Sequence, residues 1–311
     1  MKIIAIVIIS LLNGQNLLDY LKGPITMRVG LINGYDDNVL RFSDIEKHQA
    51  STNKYIMGGS NAFDSHFSRL HFIGEKRIKL ASTGKYINFY SKFNISNYLN
   101  NVNRQHWSGI IKSTYRWGSY KKLSYLIRHL NSYYIRHYID RDISNNELMP
   151  CSFSDREQIV ETTYPVKRGQ WITLQLSYNQ RYYDKPFTEF DLDILSSYFK
   201  ISRKIDDFGT IAIAFKYGEA TNTTFGNTAK ASYLDRSYNN FEWYIPLTYN
   251  TKTRLINKIG ISIRRDFRNY IAESAGDPLH SGRNHKDSKF NFWAERKINE
   301  SFLIKTSLRY R

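Results

Sequence analysis

Trp171-Ile172-Thr173-Leu174-Gln175-Leu176-Ser177-Tyr178-Asn179 is the stretch whose reading decides the fold. From Ile172 onward its even positions are apolar with an aromatic at the edge, and its odd positions, Thr173, Gln175, Ser177 and Asn179, are polar. A helix turns every 3.6 residues and smears such alternation around its surface, so a period of two is a strand. After a loop at Asp184-Lys185-Pro186, alternation resumes, with Phe190, Leu192 and Ile194 read as the apolar face and Asp191 and Asp193 as the polar one. A tight turn over residues 204–209 leads to Ile211, Ile213, Phe215 and Tyr217 against Thr210, Ala212, Ala214 and Lys216.

The same unit recurs along the chain. Strands are expected at 25–32, 63–73, 85–99, 105–117, 123–139, 153–164, 171–179, 190–203, 210–217, 239–247, 255–264, 288–296 and 301–310. Short connections follow Ile73 (a turn at 74–77), Trp117, Tyr164, Arg203, Leu247 and Arg296, and long ones fill the intervening places, including 220–236 and 267–287. Pro246 falls near a strand end, where a missing N–H is tolerable. Strict alternation of short and long connections puts every long loop at one end, as in a bacterial outer-membrane barrel with tight periplasmic turns.

Composition bounds this reading. The 311 residues are 23% charged, and the mean hydropathy is −0.53. The longest apolar run, residues 3–12, is too short for a membrane helix, which needs roughly 20 residues. A spanning strand needs only about ten residues, every second one facing lipid, so a barrel is polar on average. Aromatics at 15%, with 24 Tyr and 18 Phe, suit the girdles at the two bilayer interfaces. The net charge of +17 raises nucleic acid as a partner, but the basic residues are scattered over strands and turns with no basic helix, zinc-finger spacing or aromatic RNA-binding motif. No nucleic-acid partner is expected. The lone Cys151 excludes an intrachain disulfide and reads as a loop residue. Met1-Lys2, the apolar run and Gly14 resemble a secretory signal peptide, giving an exported segment at 1–14 and a strand domain at 15–311.

Together these features resemble the outer-membrane β-barrel proteins of Gram-negative-type bacteria. Gly34-Tyr35-Asp36-Asp37-Asn38, after the first strand, is similar to a turn in barrels of the surface-lipoprotein-assembly-modifier type, although the helical-repeat domain of those proteins has no counterpart here. The expectation is therefore all-β: a transmembrane, antiparallel, up-and-down barrel of about 12–14 strands in the bacterial outer membrane. Lipid and lipopolysaccharide would be its surroundings. The strand count is odd where a single-chain bacterial barrel is even. Either one strand is miscounted, with 153–164 the weakest, or the chain is truncated before its last strand.

Neither enzyme type built on such barrels is matched. The phospholipase type places a His two residues before Ser-Asn-Gly, whereas His280-Ser281-Gly282-Arg283-Asn284-His285 has the wrong order and reads as a polar surface loop. The omptin type needs acidic pairs and an Asp-His couple. Asp36-Asp37 and Asp206-Asp207 instead read as turn chemistry. No enzyme activity, metal or cofactor is expected. The better signal is the polar strand face, which carries Lys92, His106, Lys112, Arg116, Arg128, Lys216, Lys258, Arg264, Lys305 and Arg309 against few acids, chiefly Asp191, Asp193 and Glu242. Lining a lumen, those bases would favour small anionic solutes. The alternative is a non-conducting barrel with a structural, assembly or surface-binding role. On either reading, Arg at Leu174 or Ile213 is expected to be costly, and at Thr173 or Ala212 nearly neutral.

Overall fold

The computed structural model describes residues 23–80, 84–139, 146–226, 234–251, 253, 255–273, 280–298 and 303–310. The segment read as a signal peptide lies outside them. Thirteen strands form one antiparallel sheet in strict chain order. They are β1 (Thr26–Asp36), β2 (Ser65–Leu80), β3 (Lys85–Tyr98), β4 (His106–Gly118), β5 (Lys121–Ile139), β6 (Leu148–Lys167), β7 (Gln170–Tyr183), β8 (Leu192–Ile205), β9 (Gly209–Asn222), β10 (Tyr238–Asn250), β11 (Lys258–Tyr270), β12 (Asn284–Lys297) and β13 (Leu303–Tyr310). β1 and β13 each have one partner, so the sheet is open between them.

Cross-strand register sorts the side chains into two faces, because directly opposed residues point the same way. One row runs Tyr115, Leu123, Thr162, Leu174, Phe199, Phe215, Trp243 and Arg265 from β4 to β11. The row beside it on the opposite face runs Thr114, Ser124, Glu161, Gln175, Tyr198, Lys216, Glu242 and Asp266. The apolar face is the open one: Leu174, Leu176, Leu195 and Phe215 are exposed. Small residues of the polar face, Thr173, Ser177, Ser196, Ala212 and Ala214, are buried. In a single layer this asymmetry means that the sheet curls toward its polar side. Hydroxyl pairs lock that side, Thr163 to Thr173 at 3.1 Å and Ser177 to Ser196 at 2.6 Å.

The long connection between β1 and β2 is not irregular throughout. Ser43 caps α1 (Asp44–Thr52) in a capping box, its hydroxyl accepting from the Glu46 N–H while the Glu46 carboxylate accepts from the Ser43 N–H. Leu40, Phe42, Ala50 and Met57 from this connection pack on Tyr134 of β5. The residues singled out as a family-like turn hold its start: Asp36 accepts from the Asn38 N–H, and the Asn38 amide brackets the backbone of Phe42.

Several sequence expectations are corrected. Residues 74–77 do not turn but continue β2, with Gly74 opposite Met27 and Ser91; the chain reverses after Leu80. The phase at the start of β8 is inverted. Residues Thr188–Phe190 form a short 3-10 turn, so the strand starts at Leu192, which buries against Ala220 and Tyr238 on the polar face. Asp193 therefore points to the apolar face, where it accepts hydrogen bonds from Tyr178 and Tyr182. Asp191 lies in the connection and accepts from the Tyr183 N–H. Residues 153–164 do form a strand, within the 20-residue β6, which removes the miscount at that place. Cys151 is buried in the same strand rather than in a loop. Pro246 lies inside β10, and the β9–β10 ladder skips residues 245–246, as a residue without an N–H requires.

Candidate functional site

Register puts all ten basic residues named from the sequence on the polar, inward-curled face. Lys92 and Arg128 share a row across β3–β5, and Lys112, Arg116 and His106 stand on β4 at the same parity. Lys216, Arg264, Lys258, Lys305 and Arg309 continue it across β9–β13. Arg128 pairs with Glu157 at 2.7 Å and Arg264 with Glu242 at 3.6 Å. Lys92, Lys112, Arg116, Lys216, Lys258 and Lys305 make no ion pair among the described residues. Lys305 sits 4.7 Å over the Trp293 ring, and Arg309 donates to the Asn291 side chain at 2.8 Å.

The acids on this face differ from those expected. Asp191 and Asp193 are not on it. Asp155, Glu157 and Glu161 of β6 are, together with Glu75, Glu242, Asp266, Asp287 and Glu295, the last directly opposite both Lys258 and Lys305. Ion pairs cross the strands: Lys122 to Glu161, and Arg181 to Asp155 through two bonds of 2.9 Å. The polar face is therefore a laced surface with an excess of bases, not a nearly unopposed basic one. These half-buried pairs offset part of their attraction by desolvation, so their service is chiefly to fix geometry.

At the end where the long connections lie, aromatic rings form a continuous row. Phe67, Tyr98, His106, Tyr133, Phe153, Tyr183, Phe190, Phe187 and Tyr138 follow one another with centroid spacings from 4.9 to 6.5 Å. Arginines cap ring faces along it: Arg104 over Tyr133 at 4.0 Å, Arg181 over Phe153 at 4.8 Å, Arg236 over Phe190 at 4.2 Å and Arg136 over Tyr138 at 4.7 Å. Arg104 is buried and donates to the Ile135 carbonyl, as well as to the Tyr134 carbonyl and the Tyr133 hydroxyl, which splints the bulged part of β5.

Beneath the connections lies a cavity of about 670 Å³. Its walls come from α1, the end of β5, the start of β6 and the β7–β8, β9–β10 and β11–β12 connections. Sequence reading missed it, because its residues are far apart in the chain. Only the Ser43-x-x-Glu46 capping box was a local signal. His280, read as part of a surface loop, is mostly buried, and its ring packs tilted against Tyr270 with centroids 5.1 Å apart. Among the described residues no group of three His, Cys, Asp or Glu side chains is placed to hold a metal ion. No family model matches the chain, and no curated protein or solved structure matches it either.

Proposed function

We propose that the sheet is the wall of a transmembrane β-barrel in a bacterial outer membrane, and that its basic interior passes small anionic solutes. The observation that carries this reading is the segregation of faces. Exposed Leu, Ile, Phe, Trp and Tyr predominate on one side of the sheet, interrupted by Arg156, Gln158 and Thr162 on β6 and Arg265 on β11, while its other side is polar and charged. Each large apolar side chain left in water forgoes about 1.5–3 kcal/mol, so a belt of this extent favours an apolar surrounding. From Ile211 to Tyr217 the belt on β9 runs six residue steps, about 20 Å at roughly 3.4 Å each, close to the apolar band of such barrels.

Hydrocarbon does not tolerate an open sheet edge, so the reading requires the β1 and β13 edges to be closed. With thirteen strands in chain order these two edges run in the same direction. A seam between them would be parallel, or antiparallel through a further strand. The excess of inward bases over acids supports anion preference, since basic rings attract anions and oppose cations.

The test is conductance of the refolded chain in a planar lipid bilayer under a salt gradient. Steady steps with a reversal potential on the anion side are expected. Insertion without conductance would overturn the pore. It would favour a second reading, a barrel serving assembly or surface binding, for which the convergence of five connections and strand ends over one end already speaks.

A further inference from the structure

The cavity under the long connections is built from two arginine–glutamate pairs on aromatic supports. Glu46 is held from three directions. One carboxylate oxygen accepts from the Ser43 N–H at 2.7 Å and the Ser43 hydroxyl at 2.9 Å, and the other pairs with Arg136 at 2.9 Å. The Arg136 guanidinium is stacked between Phe42, at 5.6 Å, and Tyr138, at 4.7 Å. From the β7–β8 and β9–β10 connections, Glu189 and Arg236 form the second pair at 3.9 Å, and Arg236 rests 4.2 Å over Phe190. The exposed Gln49 of α1 adds an amide to the same wall, and among the described residues no lysine or aspartate lines the cavity.

Charge and surface together select a ligand class. An anion would meet Glu46 and Glu189, and a cation would meet Arg136 and Arg236. A wholly apolar guest would seal both pairs from water without replacing their hydrogen bonds, which is costly. A neutral polyhydroxylated ring avoids all three penalties. Its hydroxyls accept from guanidinium and donate to carboxylate at once, and its C–H faces lie against Tyr138 and Phe190, with the buried Phe187 behind them. The volume falls within the roughly 300–1,000 Å³ of small-molecule sites. The pairs hold each other in place before any ligand arrives, so little ordering cost is left for binding.

The geometry points to this cavity as a binding site for neutral saccharides, the size of a short oligosaccharide. The proposal does not need the sheet to conduct, so it fails or stands separately from the pore.

The test is isothermal titration of the full chain, refolded in detergent, with three neutral trisaccharides: maltotriose, cellotriose and triacetylchitotriose. Trigalacturonate and the cationic glucosamine trimer serve as charged counterparts. At least one neutral sugar should bind with one-to-one stoichiometry, and at least tenfold more tightly than either charged trimer. Gln49→Ala, on the exposed side of α1, and Arg136→Lys, which keeps charge but loses the planar fork, should each weaken it at least fivefold with far-ultraviolet circular dichroism unchanged. Absence of binding by all three neutral sugars, preference for a charged trimer, or unchanged affinity in both variants would overturn the proposal.

Discussion

Strands β7–β9 and strands β1 and β13 carry the same alternating pattern but live in different surroundings. In β7–β9 the polar side is closed: Ser196, Ser202, Ala212 and Ala214 are buried, and facing hydroxyls bond across strands. Every residue of β13 is exposed, and β1 is exposed along most of its length. Alternation is a property of one strand. Burial is a property of its neighbours, and each edge strand has only one. The difference teaches that the small inward residues are not merely tolerant filler. Where the sheet curls, their small size leaves room for the curvature.

The strongest challenge to this contrast is an arginine in the apolar belt. Leu174→Arg should destabilise the chain refolded in lipid vesicles by about 2–4 kcal/mol, read from urea or guanidinium unfolding. A change below about 0.5 kcal/mol would mean that this face does not meet hydrocarbon. Next comes the closed side. Ala212→Arg or Thr173→Arg was expected from sequence to be nearly neutral, but both sites are buried, at 7% and 5% exposure. Overpacking there should cost about 1–3 kcal/mol. Ser307→Arg, on the same face of exposed β13, should stay within about 0.5 kcal/mol. Equal effects at the two places would erase the comparison.

The smallest effect concerns the long connection after β1. Burial of the Glu46 carboxyl works to raise its pKa, but the hydrogen bonds from Ser43 and the Arg136 guanidinium outweigh it and hold the group below the usual carboxylate range. A depressed carboxyl contributes stability that is fully present above its unfolded value, about 4.3, and lost as pH falls through its folded one. Amide protection in α1 should be level above about pH 5 and decline below about pH 4. Glu46→Gln should remove that pH dependence, as seen by hydrogen exchange.

What the sequence disclosed follows from the same contrast. The stretches 171–179 and 211–217 were legible because apolar residues all fall on one side and polar ones on the other. The phase at Leu192 and Ile194 was misread because those apolar side chains pack on the polar face, against Ala220 and Tyr238, and no pattern within the strand announces it. Glu157 and Glu161 were missed as inward acids because the outward residues of β6 include Arg156, Gln158 and Thr162, which blur its alternation. The cavity at the loop end joins residues 46, 136, 189 and 236, and such a meeting is decided by how the connections fold back, which no local periodicity encodes.

The aromatic row at that end has an optical consequence. It is made of Phe, Tyr and His, while the five tryptophans, Trp107, Trp117, Trp171, Trp243 and Trp293, lie outside it. Near-ultraviolet circular dichroism arises from rings held in fixed asymmetric surroundings and vanishes when packing loosens. The red-edge tryptophan bands should therefore report the sheet without the row, whereas the tyrosine bands sum the row with tyrosines packed elsewhere, such as Tyr115 and Tyr120. The tryptophan bands then time the wall, and set beside hydrogen exchange in α1 they let a folding experiment ask whether the roof is built before or after it.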